Sequence, residues 1–182
     1  EILNCRLTVT IETVEKVLAR ELPGAAAHAL MTPEPNHVKG IEEIHQHSPV
    51  NSAVLMLLMP YRKDWAIPFI QRTSVGKYHG GQIALPGGKT EPEDTNARDT
   101  ALRECHEEIG VKPEDVTIIG SLSDVYIPLS NFNITPIVGT IPKIPNFVLS
   151  EDEVEEVIVI PLNDLFDDKN KTSRSLYRND RQ

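Results

Sequence analysis

A mixed α/β domain is the fold class that this sequence predicts, and three observations lead to it. Short apolar segments bounded by glycine, proline or polar residues are typical of strands, and two other segments carry apolar residues at helical spacing. Hydrophobic residues make up 40% and charged residues 25% of the chain, as in globular domains with a real core. A length of 182 residues fits a single domain over 1–182. Strands surrounding a few helices are typical of an α/β, or α+β, arrangement.

The first half of the chain contains one predicted helix and two predicted strands. Residues 10–21 carry apolar side chains three and four positions apart, and Leu-Pro-Gly ends the pattern. The stretch from there to about residue 50 has weak periodicity and is predicted to be irregular. Residues 52–60 and 66–72 are short, apolar and flanked by breakers, which predicts two strands.

The second half begins with a loop and continues with the helix that carries the cluster of acidic residues. Residues 73–94 contain five glycines and two prolines, which indicates a loop. A helix is predicted from about Thr95 to Ile109, with Asp94 or Thr95 as N-cap and Gly110 as the C-terminal stop. We predict three further strands, at 116–127, 133–141 and 153–160. A short helix at 161–166 and a charged, polar tail at 167–182 follow them.

Charge and composition argue against several classes of function. The chain has 18 basic and 27 acidic residues and a formal charge of −9, so a broad electrostatic grip on nucleic acid is not expected. The longest apolar run, 53–59, is far shorter than the roughly 20 residues of a membrane span. Cys5 and Cys105 form neither a zinc spacing nor a disulfide framework, so a reduced, cytoplasmic setting is expected. The chain begins at Glu1 rather than methionine, which fits a trimmed start.

The motif RECHEEIG places three glutamates, a cysteine and a histidine on the second predicted helix. Either Cys105 and His106 bind a transition metal, or the glutamates bind a hard cation. At about 100° per residue, Glu107 and Glu108 lie about 60° and about 40° to either side of Glu104, so the carboxylates share one face. Cys105 falls in the apolar stripe of the helix, and His106 points away from the carboxylates. Helical phase therefore favours the glutamates and predicts a core position for Cys105.

Three carboxylates on one helix face have a simple structural explanation, a solvated charged surface. However, like charges at these spacings destabilise a helix by roughly 0.2–0.5 kcal/mol per pair. The helix dipole disfavours negative charge near the C-terminus as well. A divalent cation would offset both effects, and ligands that are all oxygen suit Mg²⁺ or Mn²⁺ rather than zinc.

The loop before this helix contains a complementary feature. In LPGGKT, residues 85–90, Gly87 and Gly88 allow the backbone to approach a ligand closely. A phosphate-binding P-loop is the rival interpretation, because Gly-Lys-Thr matches the end of that motif. The first glycine of a P-loop would fall at Ile83, so the phosphate cradle is missing. A plain turn would explain the glycines but not the carboxylates that follow.

The segment at about 87–111 resembles the Nudix box, G-x5-E-x7-R-E-U-x-E-E-x-G-U, where U is aliphatic. The first half departs from it, because Asp94 replaces the first glutamate and eight residues, not seven, separate it from Arg103. Asp94 is the expected partner of Arg103, and Glu91 is the alternative. The resemblance implies a Nudix-like α/β/α sandwich with a mixed β-sheet and the Nudix loop-helix. The residues that match the second half are Arg103, Glu104, Cys105, Glu107, Glu108, Gly110 and Val111.

The preceding segment, RTSVGKYHGGQIALPGG at 72–88, resembles the signature upstream of the box in coenzyme A pyrophosphatases, R-S-x5-H-x-G-Q-x2-F-P-G-G. Thr73, Gly76 and Leu85 depart from that branch. Its members usually continue with a strand-and-helix segment bearing a tryptophan, whereas the only tryptophan here is Trp65. The chain is therefore expected to be cut short in its tail or to differ there. The residues in register are Arg72, His79, Gly81, Gln82, Pro86, Gly87 and Gly88.

The resemblance implies a metal-dependent hydrolase that cleaves the pyrophosphate of a nucleoside diphosphate linked to another moiety. Coenzyme A or a derivative is the expected substrate, with adenosine 3′,5′-bisphosphate and phosphopantetheine as products. Glu107 is the first choice for the base that accepts the proton of water, and Arg103 would orient the glutamates. The expected Mg²⁺ or Mn²⁺ ligands are Glu104, Glu107, Glu108 and the Gly88 carbonyl. The expected substrate-binding residues are Arg72, His79, Gly81 and Gln82.

Several alternatives stay open at this point. ADP-ribose, NADH or another nucleotide is the alternative substrate, and the His-x-Gly-Gln segment argues against it. A non-catalytic Nudix-fold binding domain is the alternative of another class, and such modules commonly lose box glutamates that this chain keeps. The alternative to substrate binding for Arg72 is that it is an ordinary surface arginine. The alternative for His79 is that it braces the loop. A small nucleotide is the expected partner, without nucleic acid or membrane, and a homodimer is left open.

Overall fold

The computed structural model describes residues 9–30, 48–74, 80–128 and 130–172. Two 3-10 helices, Pro113–Asp115 and Asp168–Asn170, lie within these ranges. No helix in these ranges is long and apolar enough to cross a membrane. The helices and strands in chain order are α1 (Ile11–Leu18), α2 (Ala25–Ala29), β1 (Val50–Tyr61), β2 (Asp64–Arg72), β3 (Ile83–Ala84), β4 (Gly87–Lys89), α3 (Ala97–Ile109), β5 (Thr117–Ser121), β6 (Val125–Ile127), β7 (Phe132–Thr140), β8 (Val154–Pro161) and α4 (Leu162–Phe166).

Strand β1 organises the mixed sheet, because different parts of it pair with three other strands. It runs parallel to β7 from Val50 to Leu58, and its Ser52–Val54 segment pairs antiparallel with β4 on the other edge. The last residues of β1 then form a hairpin with β2, which pairs antiparallel with β3 and β8. Strands β5 and β6 both pair with β7. The glycine loop is therefore hydrogen-bonded directly to the central strand.

The sheet separates two apolar layers, and alternate residues of β1 enter each of them. Leu55 and Leu57 pack in a core cluster with Ala101, Cys105 and Ile109 of α3. Met56 and Leu58 point to the opposite face, into a second cluster that includes residues of α1. This period of two is what a strand buried on both faces requires. A helix on each side of a mixed sheet gives the α/β/α sandwich that the resemblance predicts.

Most elements agree with their sequence predictions. The first helix, predicted at 10–21, is α1, and the strands predicted at 52–60, 66–72 and 153–160 are β1, β2 and β8. Gly110 ends α3 in the left-handed conformation with φ 73°, as expected for a C-terminal glycine. The predicted apolar stripe of α3 is confirmed, because its members are all buried: Ala101, Leu102, Cys105 and Ile109.

Four local predictions are corrected by the structure. Asn96, not Asp94 or Thr95, caps α3, since its Oδ1 accepts hydrogen bonds from the backbone N–H groups of the two residues at 98 and 99, at 2.9 and 3.2 Å. The Asp94 carboxylate is engaged elsewhere, as described below. The predicted strand at 116–127 is two strands, β5 and β6. The regions predicted to be irregular or loop contain α2, β3 and β4, elements too short to show a period.

Candidate active site

The glycine pair of β4 brings the loop backbone against two neighbours. A Cβ at Gly87 would overlap the backbone of β1 at Ala53 and Val54. A Cβ at Gly88 would overlap the carboxylate of Glu104, which lies directly against this part of the loop. Backbone atoms exclude a side chain at Gly87, whereas a side chain at Gly88 would displace the flexible end of Glu104. As a result, the backbone of Gly88, which carries no side chain, lies in contact with Glu104, the first glutamate of α3.

Arg103 joins the carboxylates and the loop into one group, the Arg103 network. Its Nε and Nη2 donate to the two oxygens of Asp94 at 3.1 and 2.9 Å, a bidentate pair. Its Nη1 donates to Glu104 Oε1 at 3.0 Å and to Glu107 Oε2 at 2.9 Å. Nη2 also donates to the Lys89 carbonyl oxygen at 2.9 Å. One guanidinium therefore ties the helix, the glycine loop and the connecting segment together.

Asp94 is the acidic partner of Arg103 in this structure, and Glu91 contributes only its backbone. The Asp94 Oδ2 atom accepts hydrogen bonds from the Glu91 N–H at 2.9 Å and from the Thr100 hydroxyl at 3.0 Å. Hydrogen bonding from Arg103 is the largest influence that lowers the pKa of Asp94 from 3.8 to about 2. The carboxylate is only 4% exposed, so solvent screens the pair weakly.

Asp94→Asn is expected to lose stability in a pH-dependent way. The folded-state pKa of about 2 lies below the ordinary value of 3.8, so the stabilisation is full above pH 3.8 and is lost as pH falls through about 2. Unfolding in urea without metal should show the variant roughly 2 kcal/mol less stable near neutral pH, with the difference shrinking below about pH 4. Asp115→Asn, on an exposed residue, is the control and should change the free energy of unfolding by less than about 0.5 kcal/mol. An equal difference at all pH values would contradict this origin.

Glu108 is the buried member of the three glutamates. It is 1% exposed, and its Oε2 accepts a hydrogen bond from the Gly87 N–H at 2.9 Å. Arg72 Nη1 lies 3.3 Å from the other oxygen. Burial raises the pKa of Glu108 to about 7, an effect opposed by the Gly87 N–H and the charge of Arg72. Arg72, predicted to bind substrate, thus contacts a carboxylate of the site itself.

Burial also raises the pKa of Glu104, and a further acidic residue acts on the same site. The negative charge of Glu153 contributes to the raised pKa of both Glu104 and Glu108. Glu153 precedes β8, and its carbonyl oxygen accepts a hydrogen bond from the Thr73 N–H at 3.0 Å. The sequence contains no local signal for this residue. It comes near the helix because β8 pairs with β2 and because the Ser150 N–H donates to the Glu108 carbonyl.

The glutamates form a set of oxygen donors beside an open backbone. Glu104 and Glu107 meet at one nitrogen of Arg103, whereas Glu108 turns towards Gly87. Within the described ranges, no three His, Cys, Asp or Glu side chains are gathered as a metal site requires, since Arg103 holds Glu104 and Glu107 while Glu108 bonds Gly87. The chemistry of the donors, carboxylates next to the glycine backbone at Gly88, still fits Mg²⁺ or Mn²⁺ rather than a softer metal.

Cys105 and His106 lie apart from the carboxylates. Cys105 is 1% exposed in the core, and burial raises the pKa of its thiol to about 12. His106 is exposed on the helix surface. The transition-metal alternative therefore finds no support in the arrangement of these two residues.

Cys105 is expected to be inert to thiol reagents in the folded protein. The thiolate is the reactive form, and a pKa of about 12 leaves very little of it near pH 8. In a Cys5→Ser variant, which leaves one cysteine, an aromatic disulfide reagent should react with the native protein at least about a hundredfold more slowly than with the urea-unfolded protein. Comparable rates in the two states would contradict burial of the thiol.

The predicted substrate-binding residues are only partly accounted for. The backbone of Arg72 forms two hydrogen bonds with the loop. Its N–H donates to the Gln82 carbonyl at 3.0 Å, and its carbonyl accepts from the Gly81 N–H at 2.8 Å. Gly81 has φ 75°, a conformation that favours glycine. The side chain of Gln82 is exposed. His79 lies outside the described residues, so its role stays a prediction.

Comparisons with known proteins give one consistent answer. A family model described as NUDIX domain matches residues 51–179. Nudix hydrolase 3 of Caenorhabditis elegans is 38% identical over 123 residues, which cover 65% of this chain and 51% of that protein. The Uncharacterized Nudix hydrolase NudL of Enterobacter sp. (strain 638) is 37% identical over 112 residues, 62% of this chain and 58% of that protein. The chain thus spans about half the length of these curated relatives.

Two solved structures show the same fold. The crystal structure of a Nudix hydrolase from M. smegmatis, RenU, has a TM-score of 0.55 at 20% identity and covers 66% of this chain and 75% of that one. The binary complex of a C. elegans Ap4A hydrolase has a TM-score of 0.54 at 17% identity and covers 63% of this chain and 83% of that one. At such identities the likeness concerns the fold, and it confirms the predicted mixed α/β architecture.

Proposed function

Because the chain belongs to the Nudix family, we propose that it is a metal-dependent hydrolase of a nucleoside diphosphate linked to another moiety. The observation that carries the proposal is the Arg103 network. Nη1 of its guanidinium donates hydrogen bonds to both Glu104 and Glu107, at 3.0 and 2.9 Å, and the Gly88 backbone lies against Glu104. A solvated charged face alone would not explain an Asp94 side chain with 4% exposure or a Glu104 carboxylate packed against the loop at Gly88.

Magnesium or manganese is the cofactor that we propose. Glu104, Glu107, Glu108 and the Gly88 carbonyl would hold it, since they supply only oxygen donors around one loop-helix junction. When bound, such an ion neutralises phosphate oxygens and lowers the pKa of water. This role also fits the burial of Glu108 at 1% exposure, because a bound ion would favour the charged form of a carboxylate whose pKa burial raises to about 7.

We assign distinct tasks to the residues of the site. Glu107 is 54% exposed at its side chain, so it is the glutamate best placed to accept the proton of an attacking water. Arg103 and Asp94 hold the carboxylates in position. Arg72, at the end of β2, is 32% exposed at its side chain, so it faces both Glu108 and solvent, from where a phosphate would approach.

Coenzyme A or one of its derivatives is the substrate that we propose, with cleavage to adenosine 3′,5′-bisphosphate and phosphopantetheine. The support is the upstream segment at 72–88, whose residues match that branch and whose backbone pairs with Arg72 in the structure. His79 and Gln82 are proposed to contact the substrate from this loop. We further propose a single-domain, cytoplasmic protein with a small-molecule nucleotide partner and without nucleic acid or membrane. A homodimer is a second state to be tested.

Incubation of the protein with a panel of coenzyme A, ADP-ribose, NADH and nucleoside triphosphates tests the substrate. With Mn²⁺ or Mg²⁺, chromatography should show adenosine 3′,5′-bisphosphate and phosphopantetheine from coenzyme A as the fastest reaction, and none without metal. Faster cleavage of ADP-ribose or NADH would replace the substrate and keep the reaction class. Absence of any product, with binding of a nucleotide seen by calorimetry, would support the non-catalytic binding domain instead.

A further inference from the structure

The chain departs from the Nudix box at Asp94, and the structure shows how the departure is accommodated. Asp94 has a shorter side chain than glutamate and lies one residue farther from Arg103 than the box requires. Both of its oxygens nevertheless accept hydrogen bonds from Arg103. The same carboxylate also accepts a hydrogen bond at 3.0 Å from the hydroxyl of Thr100, which lies in the first turn of α3. Thr100 therefore contacts the residue on which the Arg103 network depends.

The hydroxyl of Thr100 is completely buried and has a single hydrogen to donate. The residue is 0% exposed. Three acceptors lie near its oxygen: Asp94 Oδ2 at 3.0 Å, Thr90 Oγ1 at 3.2 Å and the Asn96 carbonyl at 3.4 Å. Helical threonines ordinarily bond the carbonyl four residues earlier, but here that contact is the longest. A charged carboxylate at the shortest distance is the strongest acceptor, so the hydrogen belongs to Asp94.

We propose that Thr100 is a positioning residue of the site, whose hydroxyl fixes the Asp94 carboxylate so that Arg103 holds Glu104 and Glu107 together. Its importance for catalysis rests on the proposed function, but its geometry does not. Without the hydroxyl, Asp94 Oδ2 loses one of three donors and the carboxylate can rotate away from the bidentate position. Arg103 would then hold Glu104, Glu107 and the Lys89 carbonyl less firmly.

Thr100→Val and Thr100→Ser separate the hydroxyl from the packing. Valine keeps the shape of threonine and removes the donor, whereas serine keeps the donor and removes a methyl group. The pKa of the Asp94 carboxyl, followed by carbon NMR without metal or substrate, should rise in the valine variant and stay unchanged in the serine variant. Mn²⁺ affinity measured by electron paramagnetic resonance, also without substrate, should fall roughly three- to tenfold with valine only.

Two results would overturn the proposal. One is a valine variant with the Asp94 pKa and Mn²⁺ affinity of the wild type, and the other is a serine variant that loses as much as valine. Thr117→Val, on an exposed residue of β5, is the matched control and should change neither quantity. Circular dichroism melting verifies that each variant is folded. Because neither readout uses turnover, a wild-type protein that hydrolyses nothing would contradict the proposed function and leave this test intact.

Discussion

Replacing Glu107 by glutamine is expected to lower hydrolysis of coenzyme A at least about a hundredfold, while the protein stays folded. Glutamine has nearly the shape of glutamate but cannot accept the proton of water as a base, and it is a weaker ligand for a hard cation. The side chain of Glu107 is 54% exposed, and its ion pair with Arg103 is a surface pair. The free energy of unfolding should therefore fall by less than about 1 kcal/mol.

His106→Gln is the matched control for this variant, because it changes the neighbouring exposed residue of the same helix to the same side chain. It should retain wild-type turnover, since the side chain points away from the carboxylates. Product formation with saturating Mn²⁺ and thermal unfolding are measured for both variants. Near-normal turnover in Glu107→Gln would move the role of base to another carboxylate, of which Glu153 is the first to test.

The orientation of α3 could be predicted from the sequence because a helix repeats every 3.6 residues. That period assigns Cys105 and Ile109 to the core side, and both are buried at 1% and 0% exposure. Asp94 was likewise the preferred partner of Arg103, since the resemblance to the Nudix box marks the position even after the shift by one residue. These inferences need only local geometry or a motif.

Contacts between distant segments could not be predicted in this way. Glu108 receives hydrogen bonds from Gly87 and Arg72, which precede it by 21 and 36 residues. Helical phase placed this glutamate with the other two, but the pairing of β4 with β1 brings the loop over it and buries it. Glu153 joins the site through the pairing of β8 with β2 and the hydrogen bond from the Ser150 N–H to the Glu108 carbonyl. No period or spacing along the chain contains this information.

The helix cap shows a competition that the sequence leaves undecided. Asp94, Thr95 and Asn96 are all residue types that cap helices. Asn96 takes the position, because the Asp94 carboxylate gains more from a bidentate arginine than from two backbone N–H groups. The choice depends on Arg103, which lies two turns further along the helix. The contact between Asp94 and Arg103 thus accounts for a helix cap one or two residues later than predicted.

Arg103→Lys is expected to lower both stability and activity, in contrast to Glu107→Gln. A lysine ammonium is a point charge and cannot reproduce a fork that serves Asp94, Glu104 and Glu107 together. Asp94 would keep a charge at 4% exposure with a poorer partner, so the free energy of unfolding should fall by roughly 2–3 kcal/mol. Turnover should fall at least about a hundredfold, because the two glutamates lose their common donor.

Arg98→Lys is the matched control, since Arg98 is an exposed arginine on the same helix. Its effect on unfolding should stay within about 0.5 kcal/mol, with normal turnover. Urea unfolding and the coenzyme A assay are measured on both variants at the same Mn²⁺ concentration. Equal stabilities for Arg103→Lys and Arg98→Lys would show that the bidentate pair contributes nothing beyond charge. A loss of stability without a loss of turnover would separate the Arg103 network from catalysis, because the carboxylates would then hold their positions without it.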